Sequence, residues 1–179
     1  GFNYSDDTWM FNASLGVTPQ KRTIDRKVGK LYADTTMRTI DYQPMIWLSW
    51  RKKKMRVSLN YNGRTRQPSL SDLMPLTDNS DPLYITRGNP DLKQMFMHTM
   101  HVSFQHPSKG ISANLGWQME KNSVTQVVLY DVQTGGREIY PININGNWNT
   151  YGSADWWKRF GHFSLKLSTS GRHSNRVSM

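Results

Sequence analysis

Cysteine is absent from this 179-residue chain, which excludes disulfides, thiolate metal sites and cysteine nucleophiles and leaves the redox compartment unread. Long apolar runs are missing as well. No stretch reaches the ~18 residues of a transmembrane helix, so the one membrane-crossing design left is a strand-built barrel, whose lipid face is diluted by alternate lumen residues. Signatures of catalysis are lacking too: there is no HExxH, no G-x-S-x-G and no P-loop, and neither a catalytic site, a metal nor a cofactor is expected. No basic segment followed by an apolar one opens the chain at Gly1, which reads either as a mature sequence or as a piece of a longer one. Aliphatic residues are thin. The hydrophobic fraction is 36% and mean hydropathy −0.69, while 12% of residues are aromatic, a mix that disfavours a helical globule.

Acidic residues are also scarce, 13 against 23 Lys and Arg, for a net charge of +10. Such a balance attracts nucleic acid, anionic lipid or acidic ligands. Much of the positive charge sits at residues 21–30 and 51–56, each between extended segments, where solvated turns are the plain explanation.

What the chain does have is alternation. In ISANLGWQMEK (111–121), Ile111, Ala113, Leu115, Trp117 and Met119 point one way, and Ser112, Asn114, Gly116, Gln118 and Glu120 the other. Met55, Val57, Leu59 and Tyr61 oppose Arg56, Ser58, Asn60 and Asn62 in the same manner, and Trp9, Phe11, Ala13, Leu15 and Val17 share a face. Strands are therefore expected near residues 7–18, 40–50, 55–64, 95–106, 110–131, 137–157 and 161–170. Tight turns fall at RKKK (51–54), HPSKG (106–110) and KRFG (158–161). Longer excursions fall at 19–39 and 65–94, and VQTGG (132–136) is of middling length. Short turns on one side and long loops on the other suit an antiparallel up-and-down transmembrane β-barrel segment of about seven long strands, with periplasmic turns and extracellular loops. A sandwich has no reason to sort its loops by end. Trp47, Trp50, Phe104, Trp156 and Trp157 lie beside the short turns, where an aromatic membrane-interface girdle belongs.

YITRGNPDLKQMF (84–96) poses a local question, because an extended stretch stops at Gly-Asn-Pro and resumes at once with Met and Phe. A Gly-Asn pair tolerates positive φ and proline fixes its own φ, so the motif reads as a sharp reversal feeding a strand. From GRTRQPSLSDLMP (63–75) through SDPLYITRGNPDLK (80–93) the sequence resembles the TonB-dependent receptors, in the outer-membrane β-barrel branch common in Bacteroidetes. Arg64, Gln67, Pro68, Ser69 and Leu73 match that family's R-x-x-R-P-S segment, with Gln67 where Arg is frequent. Gly88, Asn89, Pro90, Leu92 and Lys93 match its GNP-x-L-K-P-E segment, although Gln94 and Met95 replace Pro-Glu. NINGNW (143–148) is similar to its N-V-N-G element and YQPMIWLSW (42–50) to its fPsl segment.

The resemblance implies that Pro68, Gly88, Asn89, Pro90 and Leu92 form a structural loop motif at the extracellular rim. It also implies uptake of a scarce nutrient, such as a glycan fragment, a siderophore or another chelate. The partners implied are outer-membrane lipid, a plug domain, further strands of the same barrel, the TonB energy-transducing system acting through the plug, and for some ligands a surface lipoprotein. Nothing here resembles the plug or the TonB box, and seven strands fall short of the 22 or so of a receptor barrel. HSNRVSM (173–179) lacks the expected terminal strand ending in Phe. Residues 1–179 are thus expected to be a partial, internal barrel domain.

Ligand contacts are sought among loop and lumen groups. Arg64, Arg66 and Arg87 suit bidentate binding of carboxylate or phosphate, Tyr84 suits stacking on sugar or a planar chelate, and Asn143, Asn145 and Asn147 suit a polar interior. The plainer alternative pairs the arginines with Asp72, Asp78, Asp81 and Asp91 to hold the long loop together. His98 and His101, three apart on a strand, fall on opposite faces and do not share a metal. TDNSDP (77–82) places Asp78 and Asp81 in an oxygen-rich turn with the chemistry, though not the EF-hand spacing, of a calcium loop. Asp6 and Asp7 read as a solvated turn. Two rival classes stay open: a small autonomous outer-membrane barrel of about eight strands with a structural or adhesive role, and a soluble basic β-protein binding nucleic acid. Against the second, Trp117, Tyr61 and Phe11 fall with the aliphatics, not with the basic residues, and no nucleic-acid partner is expected.

Overall fold

The computed structural model describes residues 1–28, 31–74, 77–81, 83–130, 132–133 and 135–177, without the side chains of 24–28, 31–35 and 77–81. Its strands are β1 (Phe2–Ser5), β2 (Trp9–Val28), β3 (Leu31–Lys52), β4 (Met55–Arg66), β5 (Thr77–Asp81), β6 (Tyr84–Arg87), β7 (Met95–His106), β8 (Ile111–Lys121), β9 (Ser123–Tyr130), β10 (Arg137–Ile144), β11 (Asn147–Phe160) and β12 (Phe163–Asn175). One helical turn, α1 (Leu70–Leu73), follows β4. Eight strands form an open antiparallel sheet in the order β1-β2-β3-β4-β7-β8-β11-β12, and β1 and β12 are not paired with each other. Four more form a second sheet, β5-β6-β10-β9.

Register settles which residues share a face. One row runs Phe11, Leu48, Leu59, Val102, Leu115 and Gly152, and the row two residues nearer the short turns runs Trp9, Trp50, Val57, Phe104, Ala113 and Ala154. On the other face one row runs Met10, Ser49, Ser58, Ser103, Asn114, Ser153 and Ser170. Within it the Ser58 and Ser103 hydroxyls lie 2.6 Å apart. The apolar face is the uncovered one: Leu15, Leu115 and Leu167 are 62%, 50% and 57% exposed. Among the described residues the buried hydrophobics are Leu73, Met74, Leu92 and Ile144, all in or beside the region between β4 and β11. Monomeric soluble proteins rarely expose contiguous apolar patches above a few hundred Å². Here a whole sheet face is of that kind.

At one end of the main sheet every connection is short: residues 6–8, 53–54, 107–110 and 161–162. Gly110 adopts φ 65° and accepts from the Trp157 N–H at 2.8 Å, stitching the β7–β8 turn to β11. A Cβ on Gly110 would sit 1.9 Å from the Trp157 carbonyl oxygen. At the opposite end the connections are tall, and there the second sheet forms.

Several expectations are corrected. Residues 19–39 are not a loop: β2 and β3 continue as a ladder from Pro19↔Ile40 to Val28↔Leu31. Their charges concealed this, because the half-buried face of the ribbon is polar: Gln20, Arg22 and Thr39 fill it alongside Met37, so no apolar alternation marks it. Threonines support it instead, with the Thr23 and Thr36 hydroxyls 3.3 Å apart. The main sheet holds the seven expected long strands and one more, β1, of only four residues. The stretches 110–131 and 137–157 are each two strands, broken at Asn122 and at residues 145–146; Asp131 and Thr134, in the expected strand end and loop, lie outside the described residues. Asn122 takes φ 56° and Gly146 φ 104°, the left-handed values that Asn tolerates and Gly favours. The last hairpin turns at residues 161–162, so of KRFG only Gly161 is in the turn, because β11 runs to Phe160, and β12 extends to Asn175.

Candidate functional site

The tall end of the polar face is built from the QPS and GNP motifs. Pro44 has no N–H to offer the sheet, and Gly63 lies against it and the Phe96 ring, where a Cβ would come within 2.7 Å and 2.5 Å of them. Beyond that point the Thr65 hydroxyl continues the β3–β4 join, accepting from the Tyr42 N–H at 2.9 Å and donating to its carbonyl at 3.2 Å. Buried Asp41 is satisfied by two amides, from Gln20 at 2.7 Å and from Gln67. Arg22 donates to the Pro68 carbonyl at 3.0 Å, and the Ser69 hydroxyl caps α1 by accepting from the Asp72 N–H at 3.1 Å. These bonds frame a recess of about 530 Å³ lined by Arg22, Arg66, Gln67, Asp72, Glu120 and Ser123, among others.

The GNP reversal is locked to β10. Asn89 donates its N–H to the Asp72 carbonyl at 2.6 Å and its amide to the Pro141 carbonyl at 2.9 Å, while its side-chain oxygen accepts from the Asp91 N–H at 3.0 Å. Gly88 packs so closely that a Cβ would lie 1.8 Å from the Met74 carbonyl oxygen. Asn143 accepts from the Lys93 N–H at 2.7 Å and donates to the carbonyls of Lys93 at 3.1 Å and Asn122 at 2.9 Å. Asn145 accepts from the Asn122 N–H at 2.8 Å. The β8–β9 and β10–β11 arms therefore bend together, leaning the second sheet over the re-entry point.

Two further recesses flank the first. One of about 540 Å³ lies between the GNP reversal and β10, lined by Arg87, Asn89, Asp91, Leu129, Glu138 and Tyr140, with Arg87 3.7 Å from Glu138. Another of about 510 Å³ lies on the polar face between β8 and β12, lined by Gln118, Glu120, Asn147, Tyr151, Arg172 and Arg176, among others. All three combine cations with amides, hydroxyls or a phenol. That chemistry holds anions and polyhydroxylated molecules.

The expected contact residues are spread over these places. Arg66, Arg87 and Asn147 each line a different recess, while Arg64 is exposed on the polar face and Tyr84 is 49% exposed on β6. Asn143 and Asn145 sit at the bend with the bonds just described, and Asn147 accepts from the Val177 N–H at 3.0 Å. Pro68 and Leu92 are buried, as a structural motif requires. Sequence reasoning missed Arg22, Arg172 and Arg176 because it placed them in loops. It also passed over Glu120, whose position on a polar strand face was the available signal. Side chains of Asp78 and Asp81 lie outside the described residues, as does Pro82.

Trp50, Phe104 and Trp156 stand on the apolar face near the short turns, and Trp9 and Trp50 have ring centroids 6.3 Å apart. Trp47 and Trp157 fall on the polar face, because each is an odd number of residues from its aromatic neighbour. His98 and His101 are likewise on opposite faces: His98 meets the Tyr61 hydroxyl at 3.0 Å, and His101 stacks with Tyr151. At the short-turn end the Asp6 carboxylate accepts from the Tyr4 hydroxyl and from the Thr8 and Trp9 N–H groups at 2.6 to 2.7 Å. These bonds, that from Tyr4 foremost, hold its pKa below the ordinary aspartate value.

Comparison with known proteins agrees with this architecture. The outer membrane protein beta-barrel family model matches residues 3–176. The crystal structure of the siderophore receptor PirA from Pseudomonas aeruginosa is similar with a TM-score of 0.52 at 13% identity, over 92% of this chain and 34% of that one. The chain thus spans about a third of that receptor's length, and the likeness is one of fold. No curated protein matches the sequence.

Proposed function

Because this chain belongs to the outer membrane protein beta-barrel family and so resides in the outer membrane, we infer that its sheet is one part of the wall of a TonB-dependent receptor. Such a receptor would take up a scarce nutrient: a glycan fragment, a siderophore or another chelate. The observation that carries this reading is the placement of three cation-bearing recesses at the tall-loop end, two of them on the polar face of the main sheet and one against the sheet made from the loops themselves. An adhesive or purely structural barrel has no need of them. Arg66, Arg87 and Asn147 are the contacts favoured by position, with Arg64 and Tyr84 open to a ligand arriving from outside. The role is transport, not catalysis.

Two unpaired edges support a larger barrel. β12 offers 13 residues of backbone, and an unsatisfied edge is costly in lipid. Its partners would be further strands of the same chain, with a plug inside the lumen to receive TonB and, for some ligands, a surface lipoprotein above. Eight strands is also the count of a small autonomous barrel, and the absence of β1–β12 pairing speaks against that reading.

An antibody raised against residues 64–94 tests it on fractionated envelope. The expected result is an outer-membrane band several times heavier than 20.8 kDa. In cells lacking TonB, growth on the nutrient should fail as it does in cells lacking this protein. A band at 20.8 kDa would instead select the small barrel, and TonB-independent growth would end the transport reading.

A further inference from the structure

The short-turn end carries charge that nutrient uptake does not explain. Between the β7–β8 turn and the β11–β12 hairpin lies a recess of about 550 Å³, lined by Lys109, Lys158 and Arg159 together with Ile111, Trp156 and Trp157. The three cations are exposed, and among the described residues none forms an ion pair. The nearest carboxylate along this ladder, Asp155, is engaged by Lys166 at 3.7 Å and the Ser168 hydroxyl at 2.7 Å. Nothing acidic lines the recess, so its potential is uniformly positive. Its walls are fixed to each other by the Trp157 N–H bond to the Gly110 carbonyl. Above it on the apolar face stands the row Ile111, Trp156 and Leu167, with Lys158 on that face opposite Leu165, while Arg159, on the face of Trp157, lines the recess from the other side of the strand.

We propose that this recess binds the headgroup of an anionic phospholipid of the periplasm-facing leaflet. The phosphate and its net charge would lie among Lys109, Lys158 and Arg159, and the acyl chains would run along Ile111, Trp156 and Leu167. A cation cluster at the foot of a lipid-facing stripe fits an amphiphile with a charged head; a soluble anion has no use for the stripe. The neighbouring β3–β4 turn, with RKKK exposed, enlarges the same positive rim. The inference needs only the sheet's outer-membrane orientation, so it stands or falls independently of the transported nutrient.

The test uses the intact protein extracted from outer membrane in mild detergent, titrated with phosphatidylglycerol or phosphatidylcholine and read by native mass spectrometry. Phosphatidylglycerol is expected to be retained about 100-fold more strongly than phosphatidylcholine, the factor for three cations at roughly 5-fold each. Lys109→Gln, Lys158→Gln and Arg159→Gln together should abolish the preference, while the charge-keeping pair Lys158→Arg with Arg159→Lys should retain it. Should the triple variant lose its heat-modifiable gel mobility and so fail to fold, the single Gln variants decide, each expected to weaken retention about 5-fold. Equal retention of the two lipids, an unchanged preference in folded Gln variants, or complete displacement by millimolar inorganic phosphate would each overturn the proposal. The last result would mark a small-anion site.

Discussion

Asn143→Ala removes one acceptor and two donor bonds at the point where the re-entering chain, the β8–β9 bend and β10 meet. Each neutral bond contributes about 1 kcal/mol net, so three set a ceiling near 3 kcal/mol. Asn143 is only half-buried, and water recovers part of the loss, leaving about 2 kcal/mol. That corresponds to roughly 30-fold more frequent local opening. Hydrogen exchange of a peptide covering residues 88–96, in protein held in detergent or nanodiscs, reads this directly, because the Lys93 N–H is protected by the Asn143 oxygen. Asn143→Asp sharpens the test. It keeps the acceptor for Lys93 but turns a second oxygen toward the carbonyls of Lys93 and Asn122, so it should loosen the segment as much as alanine does. Exchange unchanged in the alanine variant, or a wild-type aspartate variant, would refute the claim that Asn143 holds the second sheet to the wall.

Two further outcomes follow from the faces and the turns. Leu115 lies four residues from the short-turn end of β8, which at ~3.3 Å per residue and ~45° tilt is well inside an apolar band about 25 Å tall. Leu115→Arg should therefore cost about 2–4 kcal/mol in refolding titrations into lipid, and Asn114→Arg on the polar face less than about 1; equal costs would mean the faces are assigned wrongly. Asp6 ionises more readily folded than unfolded, so its contribution to the first turn is complete above the unfolded aspartate value near 4 and is lost as pH falls through the lower folded value. The Thr8 and Trp9 amides should lose exchange protection on acidification across that range in wild type. In Asp6→Ala the same amides should be unprotected throughout.

Strands that lie in the wall were legible because one face must be apolar and the other must not. The alternation over residues 111–121 coincides with β8, and the short turn before it follows. The ribbon of 19–39 was not legible. Its half-buried positions include Gln20, Arg22 and Thr39 in place of aliphatic residues, and its strand character comes from pairing with a partner that only the fold supplies. The faces of Trp47 and Trp157 were legible but unused: each is an odd number of residues from Trp50 or Trp156, so nearness to a turn could not put all four on one face. The GNP reversal was read correctly as a loop-to-strand turn, yet its reason lies elsewhere: Asn89 and Asn143 bind backbone 50 or so residues away. By itself the sequence determined the antiparallel alternation, the two unequal ends and the basic charge, because these are local and periodic. Tertiary structure alone decided where β8 and β10 bend, which cations share a recess, and that the buried core sits in the loops while the lipid face stays bare. Each of those depends on contacts between segments far apart in the chain, and no local pattern encodes them.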